Sequence, residues 1–376
     1  MKYLLFIGYI LADGKAVYEK NLVTELKQQT DHLEIISINK GYSKLEDSFQ
    51  GIPIHTVKAL KKPLVDEIFR FFYMVKLLAA WYRKVRRSRE EPDARIILLN
   101  ASIEITLAVV VISKLYRIKT SSLLIDTALG NFRPDTIWNK YLYFCYAHGE
   151  QLYQYLDGCM ALNPRVFNYL GLSQKPTHLT KVGYTDCADY LPRVREPGRK
   201  TVIYTGSLMY YDGTEELLDA AVQLAEHGID LHIYGSGPLL ETVKQFSAQY
   251  DNIKYMGYLP NSKIQGVLAG ADFLINPRIP YFYTDIFGFP SKIIEYLLSG
   301  TPVITTAFSA MPNAYREFVY LISEPSSTGI QDAILAAVYD DPARQEHKAR
   351  VAYHYIKAHY QYRDIVRDML GFVFSL

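Results

Sequence analysis

The chain reads as an α/β protein of two doubly wound parallel-sheet domains, and three observations predict this. Short apolar runs of strand length alternate with amphipathic helical stretches, twice over, along 376 residues. With 49% apolar residues, a chain of this length can build two full cores. A charged, proline-bearing stretch at 191–200 (LPRVREPGRK) separates the two series. The expected domains are 1–190 and 191–357, with a C-terminal helix of about 358–376 that packs back on the first.

The elements follow in order. Tyr3–Gly8 is a strand, and Lys15–Gln28 is a helix with Val17, Leu22 and Leu26 at core spacing. Leu33–Asn39 and Ile96–Asn100 are strands, and a helix from about Ile103 to Tyr116 leads into a strand at Thr120–Asp126. After Cys159–Asn163 a further helix starts near Pro164. The second series places strands at Thr201 (TVIYTG), Leu231 (LHIYG), Asn252 (NIKYMG), Ala271 (ADFLINP) and Pro302 (PVITT). Helices lie between them, and a helical tail runs from about Pro342. The apolar runs Tyr3–Leu11 and Ile103–Ile112 are far shorter than the ~20 residues that span a bilayer, so no transmembrane helix is expected.

Composition narrows the function classes. The net charge of +2 gives no case for nucleic acid. Three cysteines without metal spacing suit a reducing cytosol, and nine scattered histidines form no ligand pair, so no metal site is expected.

The most informative stretch is Leu274–Thr306: a buried strand, a loop, a helix opened by Pro290 and closed by Gly300, then another buried strand. Ligands of doubly wound sheets bind where strands end and helices begin, because helix N-termini offer free N–H groups to anions. Arg278 on the loop, Ser291 and Lys292 in the first helical turn and Glu295 one turn on suit a diphosphate attached to a ribose. That is the polar end of a nucleotide-sugar. Lys292 and Glu295 share a helix face, and the plainer reading of them is a surface ion pair worth little. Gly206 ends a strand and lets a phosphate approach the backbone; the alternative is an ordinary strand-to-helix turn. Gly213 is the entry to the next helix, and the GSGP turn at Gly235 reads as structural.

Four segments resemble, in order and at fitting spacing, the donor-binding domain of retaining glycosyltransferases of family 4. They are YTGSLMYYDG from Tyr204, IYGSGPLLETV from Ile233, NIKYMGYLPNSKIQGVLAGADFLINP from Asn252 and GFPSKIIEYLLSGTPVITT from Gly288. The resemblance covers about Thr201 to Thr306; the first half is similar more loosely, through strand order and the Gly8–Gly14 loop. The NPR…FPSK…EY arrangement is similar to a subset from polysaccharide clusters. The resemblance implies the GT-B fold, two Rossmann-like domains facing a cleft, with an acceptor-side first domain and a donor-binding second. It also implies that Glu295 holds the ribose hydroxyls, a role a carboxylate can fill by accepting from both.

Two departures from the family pattern matter. The usual arginine after the first-loop glycine is Ser207, and the lysine a few residues on is, approximately, Asp212. The first of two glutamates is replaced by Phe287, eight positions before Glu295. Arg278 and Lys292 are the candidates to replace the clamp, since an arginine fork and an ammonium together match a diphosphate. Asp285 is the candidate for the missing glutamate, against a simple loop aspartate. In the first half, Gly14 would allow close approach to the donor phosphate. Asp126 stands where relatives carry a histidine facing the transferred sugar; the alternative is a cap before Gly130.

The segment from Lys58 to Arg89 carries ten basic residues against Asp66 and Glu67, with Phe69, Phe72, Tyr73, Leu77 and Trp81 interleaved at roughly helical spacing. It reads either as a core-facing helix with a solvated basic end or as a helix lying on an anionic membrane surface. The expectation is thus a metal-independent, retaining hexosyltransferase without cofactor, its donor a UDP-sugar rather than a GDP-sugar. It would extend a saccharide or lipid-linked acceptor in bacterial surface polysaccharide synthesis, in the cytoplasm or on the inner membrane face. A non-catalytic partner subunit and a nucleotide-sugar epimerase of the same fold stay open.

Overall fold

The computed structural model describes residues 2–8, 17–38, 48–57, 65–88, 92–125, 136–185, 189–190, 198–280 and 285–376. The chain divides into two compact units. The first comprises Met1–Thr185, Ile286–Phe289 and Tyr362–Leu376, and the second Asp186–Asp285 and Pro290–Gln361. Most of the expected linker, 191–197, lies outside the described residues.

The first unit is built on eight strands: β1 (Lys2–Gly8), β2 (His32–Ile38), β3 (Ser48–Phe49), β4 (Ile52–Val57), β5 (Asp93–Leu99), β6 (Lys119–Leu124), β7 (Gly158–Ala161) and β8 (Thr177–Leu179). Their order is β3-β4-β2-β1-β5-β6-β7-β8, and only the β3–β4 pair is antiparallel. β1 pairs with β2 on one side and β5 on the other, with Phe6 level with both Ile35 and Ile97. Leu4, Leu5, Phe6 and Ile7 are all buried, because helices cover both faces of a central parallel strand. That is why the strand reads as a continuous apolar run rather than an alternation.

Four helices matter here: α1 (Val17–Gln29), α2 (Val65–Arg86), α3 (Ile103–Tyr116) and α4 (Ile137–Gln151). α3 has the ends its sequence predicts. On one face of the sheet, α1 packs against the C-terminal helix Tyr362–Ser375. Leu22, Val23 and Leu26 share a core cluster there with Val366, Met369 and Leu370. α2 packs on α3, and α3 on α4.

The second unit holds six parallel strands: β9 (Lys200–Ser207), β10 (Ile229–Ser236), β11 (Ile253–Tyr255), β12 (Phe273–Asn276), β13 (Val303–Thr306) and β14 (Val319–Ile322). The order is β11-β10-β9-β12-β13-β14. From β9 the chain builds outward through β10 and β11, then returns to the other side of β9 for β12. The sheet therefore reverses direction between β9 and β12. Their register covers only Phe273 with Val202 and Leu274 with Ile203, so the strands part beyond it.

β3, β4, β8 and β14 have no counterpart in the sequence reading. All lie at or next to a sheet edge. β4 buries Ile52, Ile54 and Val57 but exposes Pro53, and β14 buries only Val319 and Ile322 of its four residues. Half-covered strands of this kind lack the unbroken apolar runs that mark central ones.

Candidate functional site

The reversal point of the second sheet gathers the candidate residues. In open α/β sheets this is where a crevice opens at the carboxyl ends of the strands. β9 ends there with Gly206 and Ser207, and β12 with Asn276, followed by Pro277 and Arg278. The strand runs through Gly206 to Ser207, one residue beyond the end its sequence suggests.

The two loops leaving these strands interlock. The Ile279 N–H donates to the Tyr211 carbonyl at 3.0 Å. Gly213 has φ +72°, caps the next helix, and lies so near the Pro277 carbonyl that an added β-carbon would stand 2.0 Å from its oxygen. No other residue fits both the conformation and the space. The glycine turn after β10 is structural in the same way: a β-carbon on Gly235 would lie 1.9 Å from the Gly206 carbonyl oxygen.

The helix Lys292–Leu298 closes the site from below. Its start is later than the sequence suggests: Pro290 and Ser291 form a tighter lead-in turn, with Pro290 and Ser291 carbonyls accepting from the Ile293 and Ile294 N–H groups. Ile293, Ile294, Leu297 and Leu298 are buried. Tyr296, also fully buried, has a role that its sequence did not reveal. Its hydroxyl accepts the Thr205 N–H at 2.8 Å and donates to the Thr205 carbonyl at 3.1 Å. Where β9 and β12 part, a side chain thus satisfies backbone groups that the ladder leaves open.

Lys292 turns inward from this helix. Its Nζ sits 4.2 Å from the centre of the Tyr204 ring and 3.0 Å from where a Gly206 β-carbon would be. The space that Gly206 leaves is therefore used by the ammonium. Burial lowers the Lys292 pKa to about 8; Asp212 pulls it up, and Arg278 adds to the lowering. Arg278 faces the Tyr211 ring at 5.9 Å. Among the described residues neither cation has an ion-pair partner. Two cations close enough to repel one another, with the buried Asp212 carboxylate offsetting only part of their charge and ion-paired to neither, make a site that can accept an anion.

Ser207 and Asp212, which stand where the family pattern has its clamp, are bound to each other: the Ser207 hydroxyl donates to the buried Asp212 carboxylate. The Tyr204 hydroxyl donates to the Ser207 carbonyl at 2.6 Å and braces the same turn. Glu295 is half-buried and does not pair with Lys292, so the surface ion-pair reading does not hold. Burial raises its carboxyl pKa, and among the described residues it has no hydrogen-bond partner. Asp285 is held by Ser309, whose N–H donates to its carboxylate at 3.0 Å and whose hydroxyl donates to its carbonyl. Ser291 is exposed at the helix start and caps nothing with its side chain. Gly14 and Asp126 lie outside the described residues.

Comparison with known proteins bears on both units. Residues 199–340, most of the second unit, match the family model described as glycosyl transferases group 1. Over 150 residues the chain is 25% identical to WcaL of Escherichia coli (strain K12), assigned to colanic acid biosynthesis as a glycosyltransferase; this covers 38% of this chain and 37% of that protein. The chain spans between about a third and two-fifths of the length of the curated relatives it matches. Among solved structures it is similar to Anabaena Alr3699/HepE in complex with UDP, with TM-score 0.71 and 13% identity over 100% of both chains. It is also similar to the lipopolysaccharide outer core galactosyltransferase WaaB, with TM-score 0.71 and 15% identity over 100% of this chain and 99% of that one. The chain has the GT-B fold these structures share.

Proposed function

We propose that this GT-B chain is a retaining glycosyltransferase that moves a hexose from a nucleotide-sugar to a saccharide or lipid-linked acceptor, in the synthesis of a surface polysaccharide. The observation that carries this reading is the pair of unpartnered cations, Arg278 and Lys292, at the reversal point of the second sheet. A diphosphate placed between them relieves their mutual repulsion and receives an arginine fork and an ammonium. Glu295 supports the same reading. An unpaired, half-buried carboxylate is costly, and the two hydroxyls of a ribose supply the donors it lacks. The donor is read as a UDP-sugar, because the similar structure HepE was solved with UDP.

In the transfer, the bond between the anomeric carbon and the diphosphate oxygen breaks and a bond to the acceptor hydroxyl forms on the same face. The acceptor proton passes to the departing diphosphate. Arg278 and Lys292 supply the positive charge for that leaving group, so the reaction is read as one that needs no metal ion. Fixed charge of this kind often provides the largest catalytic effect, and losing one donor costs roughly 10²–10³ in rate.

The test has two parts. Thermal-shift measurements across nucleoside diphosphates should show UDP raising the melting temperature most. Turnover of Arg278→Ala and Lys292→Ala, measured with the best donor, should fall by roughly 10²–10³ with the fold retained. Wild-type turnover in both variants contradicts the assignment. A second reading, a non-catalytic partner subunit, is favoured by the mutual engagement of Ser207 and Asp212 where the family clamp would be. It predicts no stabilisation by any nucleoside diphosphate. The epimerase reading predicts conversion of the donor with no acceptor present.

A further inference from the structure

The outer faces of α2 and α3 carry a pattern that the transfer site does not use. α2 buries Met74, Leu78, Trp81 and Val85 against the first unit. On its opposite face, Val65, Ile68, Phe69 and Phe72 are exposed, Phe72 at 65%. Those positions follow one helical stripe. The same stripe continues through Lys76 and Arg83, and Arg87 follows in the turn after α2; all three are exposed. One face of one helix thus changes from apolar in its first half to basic in its second.

α3 extends the surface. Arg70 of α2 pairs with Glu104 of α3, and Tyr82 stacks on Tyr116 at 4.6 Å, so the helices run parallel in a fixed register. Leu107, Val111 and Leu115, one stripe at every fourth position, are exposed, Leu115 at 67%. In that register Leu107 is level with Tyr73, Val111 with Leu77 and Leu115 with Trp81. Among the described residues of the two helices the carboxylates are withdrawn from solvent: Asp66 and Glu104 are buried, and Glu67 is half-buried. Lys76, Arg83 and Arg87 have no ion-pair partner among the described residues, whereas Lys84 is taken by Glu34.

We propose that the outer face of α2 and α3 docks the chain on an anionic lipid bilayer, with Ile68, Phe69 and Phe72 entering the headgroup–acyl boundary and Arg83 and Arg87 meeting lipid phosphates. Charge complementarity selects this occupant. A second copy of this chain, whose overall charge is near neutral, offers no matching field for these cations set among apolar residues, whereas an anionic bilayer supplies both the field and the apolar layer. No described helix is long and apolar enough to cross a membrane, so the contact is peripheral. The inference does not depend on the transfer reading, although a lipid-linked acceptor would be met at such a surface.

The test is co-sedimentation of the purified full chain with vesicles of phosphatidylcholine alone or containing phosphatidylglycerol. The wild type should pellet with the anionic vesicles and less at high salt. Ile68→Ser/Phe69→Ser/Phe72→Ser should weaken binding by about tenfold or more. Arg83→Glu/Arg87→Glu should abolish the preference for phosphatidylglycerol. Cooperative thermal unfolding of the same variants without ligand checks that they fold, and the added shift with UDP separates failure here from failure of the transfer reading. No pelleting of the wild type, undiminished binding by the apolar triple variant, or a dimer in ultracentrifugation that this variant breaks would each overturn the proposal.

Discussion

At the scale of single residues, the site depends on side chains that lack partners. Burial lowers the Lys292 pKa to about 8, close to neutrality though still charged there, and Arg278 adds to that effect. A bound diphosphate favours the charged ammonium, so binding should take up a proton when the free site has lost it. Affinity for a nucleoside diphosphate should therefore hold steady below about pH 8 and fall above it, approaching roughly tenfold per pH unit. Lys292→Arg should flatten this profile, since a guanidinium stays charged throughout. Calorimetry in buffers of different ionisation enthalpy reads the proton uptake directly. An unchanged profile in the variant would assign the titration to another group. Lys292, Arg278 and Glu295 stood out as candidates in the sequence because ligands of doubly wound sheets bind where strands end and helices begin, and Glu295 also through the family resemblance. The bond between Ser207 and Asp212 was not, because it requires a turn that folds the two side chains together.

At the scale of elements, the parting of β9 and β12 opens the site, and Tyr296 makes the opening tolerable. Replacing it by Phe leaves the Thr205 N–H and carbonyl without their side-chain partner in a buried place. Such unsatisfied groups cost about 1–3 kcal/mol. Denaturant unfolding of Tyr296→Phe should show a loss in that range; a stability equal to the wild type would mean the strands close up or water enters. In the sequence Tyr296 was only one letter of the FPSK…EY motif. Its task depends on where two distant strands diverge, which no local pattern records. The central strands, by contrast, were readable as unbroken apolar runs such as Leu4–Ile7, and the helix 103–116 kept its predicted ends. The outer strands β4 and β14 were missed because exposure on one side dilutes that signal. The start of the helix at Lys292 rather than Pro290 reflects a tight lead-in turn whose sequence suits a helix equally well.

At the scale of the whole molecule, each unit has its own sheet and core, and the last helix belongs to the first unit although it follows the second in sequence. Val366, Met369 and Leu370 fill the cluster around Leu22 and Leu26. Ending the chain after Gln361 should uncover that cluster and unfold the first unit while the second keeps its core. Limited proteolysis would then leave a protected fragment from the second unit alone; protection of both units would show the helix to be dispensable. The proposed role of Arg278 and Lys292 is more local: to hold the donor diphosphate in place of Ser207 and Asp212. Titration calorimetry of UDP with the wild type, Arg278→Ala and Lys292→Ala tests it most directly. Binding by the wild type, with affinity at least about tenfold weaker in each variant, is the predicted result. Equal affinity in all three proteins would contradict it.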